Sequence, residues 1–402
     1  MTPKKWLRIC LVGLALPAHF DSRAGASLWR VVKEPNPPIG REFFLHFADA
    51  NHGWVLIRGI SPISGFVGYR TTDGGSTWQE MHLPALFPED PYAGVVFSAY
   101  LLTPLEGWVG GMDRIAHTAD GGETWNVVRL SQRISAPEDV RKEIRNDLLY
   151  VSGIHFWNSK EGVLYTTFVW YEHREERWGT LLMTTSDSGN TWEVIPSSLS
   201  KPTGEIWFHL NNPPPRSFAI LGEKEIWMYG HSLYLSSDLG ISWTKVLPGP
   251  VADAYLTLDG KGWVVTGWLG EINKNLILHS FDNGVSWNPC NIPDDPLMFR
   301  FRNSIIRVIT FGPNFRGWAF GWYSVKGVDH SIILSTDDGI NWMFEESPVE
   351  ARILDAQYID GVVYVVAGLG IVLKRETGLV TEVQPRGKLP TTWGYLKQGP
   401  TP

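Results

Sequence analysis

The chain of 402 residues has only two cysteines, Cys10 and Cys290. Cys10 lies inside an N-terminal apolar run and is badly placed for a lipid anchor. Removal of that run leaves one cysteine and no internal disulfide, so the fold is expected to be held by its core and its own closure. The 11 histidines form no H-x-H or H-E-x-x-H pair, which leaves a zinc site without support. No aspartate string follows the spacing of a calcium loop, and neither G-x-S-x-G nor a phosphate-binding glycine loop is present. The net charge of −7 is modest and carries no long block of one sign, which argues against nucleic acid as a partner. No cofactor is implied. Past the N-terminus, no apolar stretch is long enough for a membrane-spanning helix, so no stable membrane insertion is expected.

The N-terminus reads as a secretory signal over residues 1–26. Lys4, Lys5 and Arg8 precede an apolar run from Ile9 to Ala18, and Ala24-Gly25-Ala26 offers a cleavage site, with Leu16-Pro17-Ala18 as a second choice. The run is short for an uncleaved anchor. The expected location is periplasmic or extracellular.

What the sequence has in excess is tryptophan (20) and glycine (41), a pairing suited to many short strands, tight turns and aromatic plugs. One phrase, S/T-x-D-x-G-x-T/S/N-W, recurs six times. Its aspartate, glycine and tryptophan are Asp73, Gly75, Trp78; Asp120, Gly122, Trp125; Asp187, Gly189, Trp192; Asp238, Gly240, Trp243; Asp282, Gly284, Trp287; and Asp337, Gly339, Trp342. Asp and Ser/Thr side chains fold back on local N–H groups and hold a turn without a ladder. The glycine supplies positive φ, and the tryptophan opens the outgoing strand as an apolar anchor with one N–H to satisfy. Successive aspartates stand 47, 67, 51, 44 and 55 residues apart. The shortest steps correspond to one repeat, and the excess to inserted connections.

Ahead of each phrase comes a strand, a polar turn and a second strand opening on Gly-Trp or a near equivalent, as at Gly53-Trp54, Gly107-Trp108, Gly262-Trp263 and Gly317-Trp318. Each unit is therefore a four-stranded antiparallel meander. A seventh unit, from Ile353 onward, has no box. Its fourth strand is either Leu379 to Val383 or, better, Ser27 to Val32 at the other end of the chain, which resembles the strand after a box. The expected fold is all-β: one seven-bladed propeller over residues 27–384, closed by the N-terminal strand, with 385–402 as a flexible tail.

The boxes resemble the Asp-box, or BNR, repeat of β-propellers, where the box is a structural hairpin between the third and fourth strands of a blade. The Gly-Trp strands combined with Thr72-Asp73-Gly74-Gly75-Ser76-Thr77-Trp78 and Asp120-Gly121-Gly122-Glu123-Thr124-Trp125 look like the photosystem II assembly-factor propellers. That resemblance implies a non-enzymatic propeller that holds another polypeptide. Asp-boxes also decorate sialidases, which would need three arginines, a Tyr–Glu nucleophile pair and an Asp acid/base. The family's Arg-Ile-Pro string is absent; the nearest strings are Arg133-Ile134-Ser135 and Arg352-Ile353-Leu354. A sialidase-type glycoside hydrolase or a carbohydrate-binding propeller stays as the alternative.

Candidate partner contacts fall on the inserted connections, which are expected to open opposite the box face. A loop at Val169 to Gly179 carries Trp170, Tyr171, His173, Arg174, Arg177 and Trp178. Trp207, Phe208 and His209 lie in the next connection, and Phe299, Arg300 and Arg302 further on. Aromatics mixed with arginine are typical of interface hot spots, although the same aromatics could simply plug loops onto the blades. Residues 131–150 are charged enough for a short helix around Pro137 to Asp147.

Overall fold

A computed structural model describes residues 28–33, 40–59, 66–83, 96, 98–136, 149–172, 175–195, 218–222, 224–230, 232–266, 277–293 and 305–379. Seven sheets form a ring, six of four strands and one of five. The innermost strands of blades 1 to 7 are Gly40–Phe47, Ser98–Leu101, Leu149–Phe156, Phe218–Leu221, Val251–Leu256, Ile305–Phe311 and Ile353–Ile359. Within each blade the chain then meanders outward in sequence order. In the seventh, Val362–Ala367 and Ile371–Glu376 are followed outward by the N-terminal strand Arg30–Lys33, with Arg30 opposite Lys374 and Val31 opposite Leu373. The expected closure therefore holds, and closing the ring leaves only short outer edges. The fifth strand of blade 3, Ile134–Ser135, runs parallel to Trp192–Val194 and covers that blade's outer edge. The proposed helix around Pro137 to Asp147 lies outside the described residues.

The core is divided among the seven gaps between neighbouring blades, each filled by its own apolar cluster. The two repeated tryptophans share this work. The Gly-Trp tryptophan of one blade and the box tryptophan of the next enter the same gap, as with Trp54 and Trp125, Trp108 and Trp192, Trp227 and Trp287, and Trp263 and Trp342. Trp108 Nε1 donates to Ser188 O (3.0 Å) in the next blade's box, and Trp263 Nε1 to Gly339 O (2.7 Å). In the gap between blades 7 and 1, Tyr364 takes this part and donates to Gly74 O at 3.1 Å. Between blades 6 and 7, where blade 7 lacks a box, Trp29 from the N-terminal strand joins Trp318. A fully buried aromatic plug removes roughly 150–250 Å² from water. The repeat is thus the seam between blades.

The inner strands each expose one edge toward the axis, and side chains from neighbouring blades satisfy those backbone groups. Asp355 accepts from Leu45 N (3.0 Å), Gln357 from Phe47 N (2.7 Å), Asp253 from Ile309 N (2.9 Å) and Thr310 from Tyr358 N (3.1 Å).

All six boxes form, and each binds itself in the same way. In the first, Thr71 Oγ1 donates to Asp73 Oδ1 (2.9 Å) and accepts from Gly75 N (2.8 Å), while Asp73 accepts from Thr77 N (2.8 Å) and Thr77 Oγ1 (2.7 Å). The Ser242 and Ser286 hydroxyls, with their N–H groups, hold Asp238 and Asp282 down at about 2. The sixth box corrects the sequence reading: its aspartate is Asp338, not Asp337. Thr336 Oγ1 donates to Asp338 (3.0 Å), and Asp338 accepts from Asn341 N (2.7 Å) and Nδ2 (2.6 Å). The register explains the shift. The first box residue pairs with the glycine of Gly-Trp (Thr71 with Gly53, Thr118 with Gly107), and Gly317 pairs with Thr336 rather than Ser335. Five boxes place two consecutive residues at positive φ, such as Gly74 and Gly75, whereas the sixth keeps only Gly339 (φ 76°), one residue fewer. Asp337 instead meets Arg316 at 3.1 Å on the surface. Asp338→Ala is therefore expected to cost about 1 kcal/mol, as loss of a local cap does. Asp337→Ala should stay within roughly 0.5 kcal/mol; urea midpoints of the two variants compare them directly.

Candidate functional site

The meander alternates its turns between the two ends of the ring. Boxes and inner-hairpin turns share one face; the middle hairpins and the blade-to-blade connections share the other. Among the described residues of that second face, two hairpins stand tall, in blades 3 and 6, on opposite sides of the axis.

The blade 3 hairpin replaces the expected inserted loop. Gly162–Glu172 and Glu175–Thr185 pair without interruption from Gly162 opposite Thr185 to Glu172 opposite Glu175. Trp170 stands opposite Arg177, Tyr171 opposite Glu176, and Val169 opposite Trp178. β-Branched and aromatic residues flank a polar tip, so the ladder continues where a loop was expected. His173 and Arg174, at the tip, lie outside the described residues, as do Trp207, Phe208, His209, Phe299, Arg300 and Arg302. The structure thus brings Trp170, Tyr171, Arg177 and Trp178 onto one ribbon.

The blade 6 hairpin was missed from sequence. Gly317–Val325 and Val328–Thr336 join through Lys326 and Gly327 at φ 50° and 85°, the two-residue turn that matches strand twist. The signal was there: Val-Lys-Gly-Val between two alternating runs. Tyr323 stacks on His330 at 4.8 Å, His330 Nδ1 meets Glu350 at 2.8 Å, and Arg352 meets Asp329 at 2.8 Å with its guanidinium 5.6 Å from the Trp322 ring. Aromatic and ionic groups therefore gather beside the turn of this hairpin.

At the axis, burial lowers the Arg307 guanidinium, opposed by the carboxylates of Asp253 and Asp355. Burial raises Tyr100 well above its ordinary value and drives His155 down to about 3, with His46 adding to the effect. Neither shift brings a group toward the neutral range that general acid–base catalysis needs. Arg133, whose carbonyl accepts from Trp192 N, sits at the outer edge of blade 3, and Arg352 is held at the rim by Asp329. The two strings nearest to the sialidase motif thus place no arginine at the axis. Cys290 is buried, with its thiol pushed up to about 11, chiefly by desolvation.

Fold and repeat together define an Asp-box β-propeller. Its sequence matches the family described as Photosynthesis system II assembly factor YCF48 over residues 22–146. Photosystem II stability/assembly factor HCF136, chloroplastic, of Arabidopsis thaliana is 25% identical over 338 residues, spanning 79% of this chain and 73% of the relative. Among solved structures, YCF48 bound to D1 peptide aligns with TM-score 0.58 at 17% identity, covering 89% of this chain and 98% of that one. A GH74 xyloglucanase from Xanthomonas campestris aligns at TM-score 0.50 and 13% identity, over 91% of this chain but 55% of the enzyme. These structural likenesses speak to the fold alone. In sequence and fold, the chain resembles the photosystem II assembly factors.

Proposed function

We propose that this protein is an exported, non-enzymatic propeller that holds a polypeptide partner during the assembly of a larger complex. The observation that carries the reading is the likeness to HCF136, an assembly factor by name, across most of the chain. The fold neighbour described as YCF48 bound to D1 peptide supports a polypeptide as the kind of partner. The contact surface we assign is the face opposite the boxes. Trp170, Tyr171, His173, Arg174, Arg177 and Trp178 offer flat rings and guanidinium forks there, and Trp207, Phe208, His209, Phe299, Arg300 and Arg302 extend it along the connections. Such groups recognise an extended chain by stacking and by pairing with carboxylates and carbonyls.

Capture of the native partner from the exported fraction tests this. Replacing Trp170, Tyr171 and Trp178 together by Ala is expected to cost at least about 2 kcal/mol, a roughly 30-fold loss of affinity. Unchanged capture would discard the surface. Sugar release from sialosides or xyloglucan by the natural chain would instead make it an enzyme.

A further inference from the structure

The inner strands of blades 1, 3, 5, 6 and 7 share an irregularity near their first residues, at the end of the ring opposite the boxes. There the ladder to the second strand skips, between Gly40 and Phe43, Val151 and Gly153, Val251 and Asp253, Ile306 and Val308, and Ile353 and Asp355. A skipped residue has no ladder partner and its strand bends, so the side chain is re-aimed. In blades 3, 5, 6 and 7 the skipped residues are Ser152, Ala252, Arg307 and Leu354, and of these Arg307 alone carries a charge. The close approach of Gly321 to the Ile305 carbonyl belongs to the same bulge.

Blades 5 and 7 flank blade 6, and each supplies an aspartate directly after its own skipped residue. Both carboxylates are buried and have fixed duties. Asp253 accepts from Ile309 N (2.9 Å) and from the Tyr229 hydroxyl (3.1 Å), and Asp355 accepts from Leu45 N (3.0 Å) and Ala356 N (2.8 Å). Arg307 feels both charges, yet neither carboxylate stands within ion-pair distance of it. Among the described residues its N–H groups meet no hydrogen-bond acceptor either. The side chain is half-buried at the axis, so solvent and ligands reach it there. A largely desolvated guanidinium without acceptors is costly to the folded chain, and a ligand that supplies them relieves that cost.

We propose that Arg307 binds an amide oxygen, main-chain or Asn/Gln side-chain, of a polypeptide lying over the axial mouth between the two tall hairpins. The proposal rests on the polypeptide reading above and assigns the chemistry of one contact within it. Charge selects the amide over a carboxylate. A carboxylate at Arg307 gains one unlike charge and meets two like charges, Asp253 and Asp355, where little water screens them. An amide oxygen accepts the same N–H groups and brings no charge, so the flanking aspartates act as the element that rejects acidic ligands. The stretch of the bound chain that crosses the axis is therefore uncharged.

Titration of the full chain, labelled with nitrogen-15 at arginine, tests the site with two small probes, N-methylacetamide and acetate, at pH 7 and matched ionic strength. The Arg307 Nε–H cross-peak is identified by its loss in Arg307→Lys. N-methylacetamide is expected to shift it saturably, with a Kd at least about tenfold below that of acetate. Asp253→Asn keeps an oxygen for Ile309 N and removes one of the two flanking charges, so it should narrow that ratio while the thermal midpoint shows the ring intact. No saturable shift with either probe overturns the proposal, and so does acetate binding as tightly as the amide in the natural chain. A ratio unchanged in folded Asp253→Asn overturns the assigned role of the aspartates. The probes bind without the native partner, so a failure here is distinct from a failure of partner capture.

Discussion

Arg375→Ala is expected to lower the unfolding free energy by about 3–5 kcal/mol, the loss typical of breaking a buried ion pair. Arg375 is only 5% exposed and occupies the gap where blade 7 lacks a box. Its guanidinium carbon lies 5.6 Å from the Trp29 ring and 5.4 Å from the Trp318 ring, and it pairs with the half-buried Glu345. Glu345 also accepts from Trp29 Nε1 at 2.8 Å. One cation thus ties the N-terminal strand to blade 6 and fastens the ring. Removing it strands the Glu345 carboxylate and empties the space between two indoles. Arg375→Met/Glu345→Gln removes both charges and keeps most of the volume, so it should recover much of the loss. Urea unfolding with an unchanged m-value reads both. A single variant within about 1 kcal/mol of the natural chain would mean the clasp is held elsewhere, since exposed pairs are worth only that much.

Gly321→Ala is expected to cost at least about 3 kcal/mol, at or above the usual upper limit for overpacking. Gly321 sits mid-strand in blade 6 opposite Ile306, next to a register shift between Ile306 and Val308. A Cβ there would stand 1.8 Å from the Ile305 carbonyl oxygen and 2.8 Å from Ile306 Cα. Those atoms are backbone, so no rotamer change relieves the contact and the inner strand itself must move. Gly327 in the same blade is the control. It has φ 85° and nothing within 4 Å of its would-be Cβ, so Gly327→Ala should cost only about 1–2 kcal/mol of left-handed strain. Comparable losses for the two would show that the inner strand yields easily.

The repeated phrases made the architecture legible because each is a local device. A box binds itself within eight residues, and a Gly-Trp strand opens where its box must pair, so spacing alone counted the blades. Even the ring closure could be read, because Ser27-Leu28-Trp29 repeats the end of a box with no box before it. Local spacing failed where the true box is one residue shorter than the phrase. Asp337 fits the phrase in full, but the pairing of Thr336 with Gly317 selects Asp338. It failed again at Val169 to Gly179, where the excess spacing between boxes suggested an inserted loop and the ladder ran through it.

The sequence by itself determined the number of blades, the strand order, the face on which the boxes lie and the strand that shuts the ring. These follow from contacts between residues close in the chain or from repetition of one template. Tertiary structure alone decided that the two families of tryptophan meet in the gaps between blades and that Arg375 serves where a box is missing. Each of these joins residues tens to hundreds of positions apart, and packing across a gap leaves no periodic mark on the sequence.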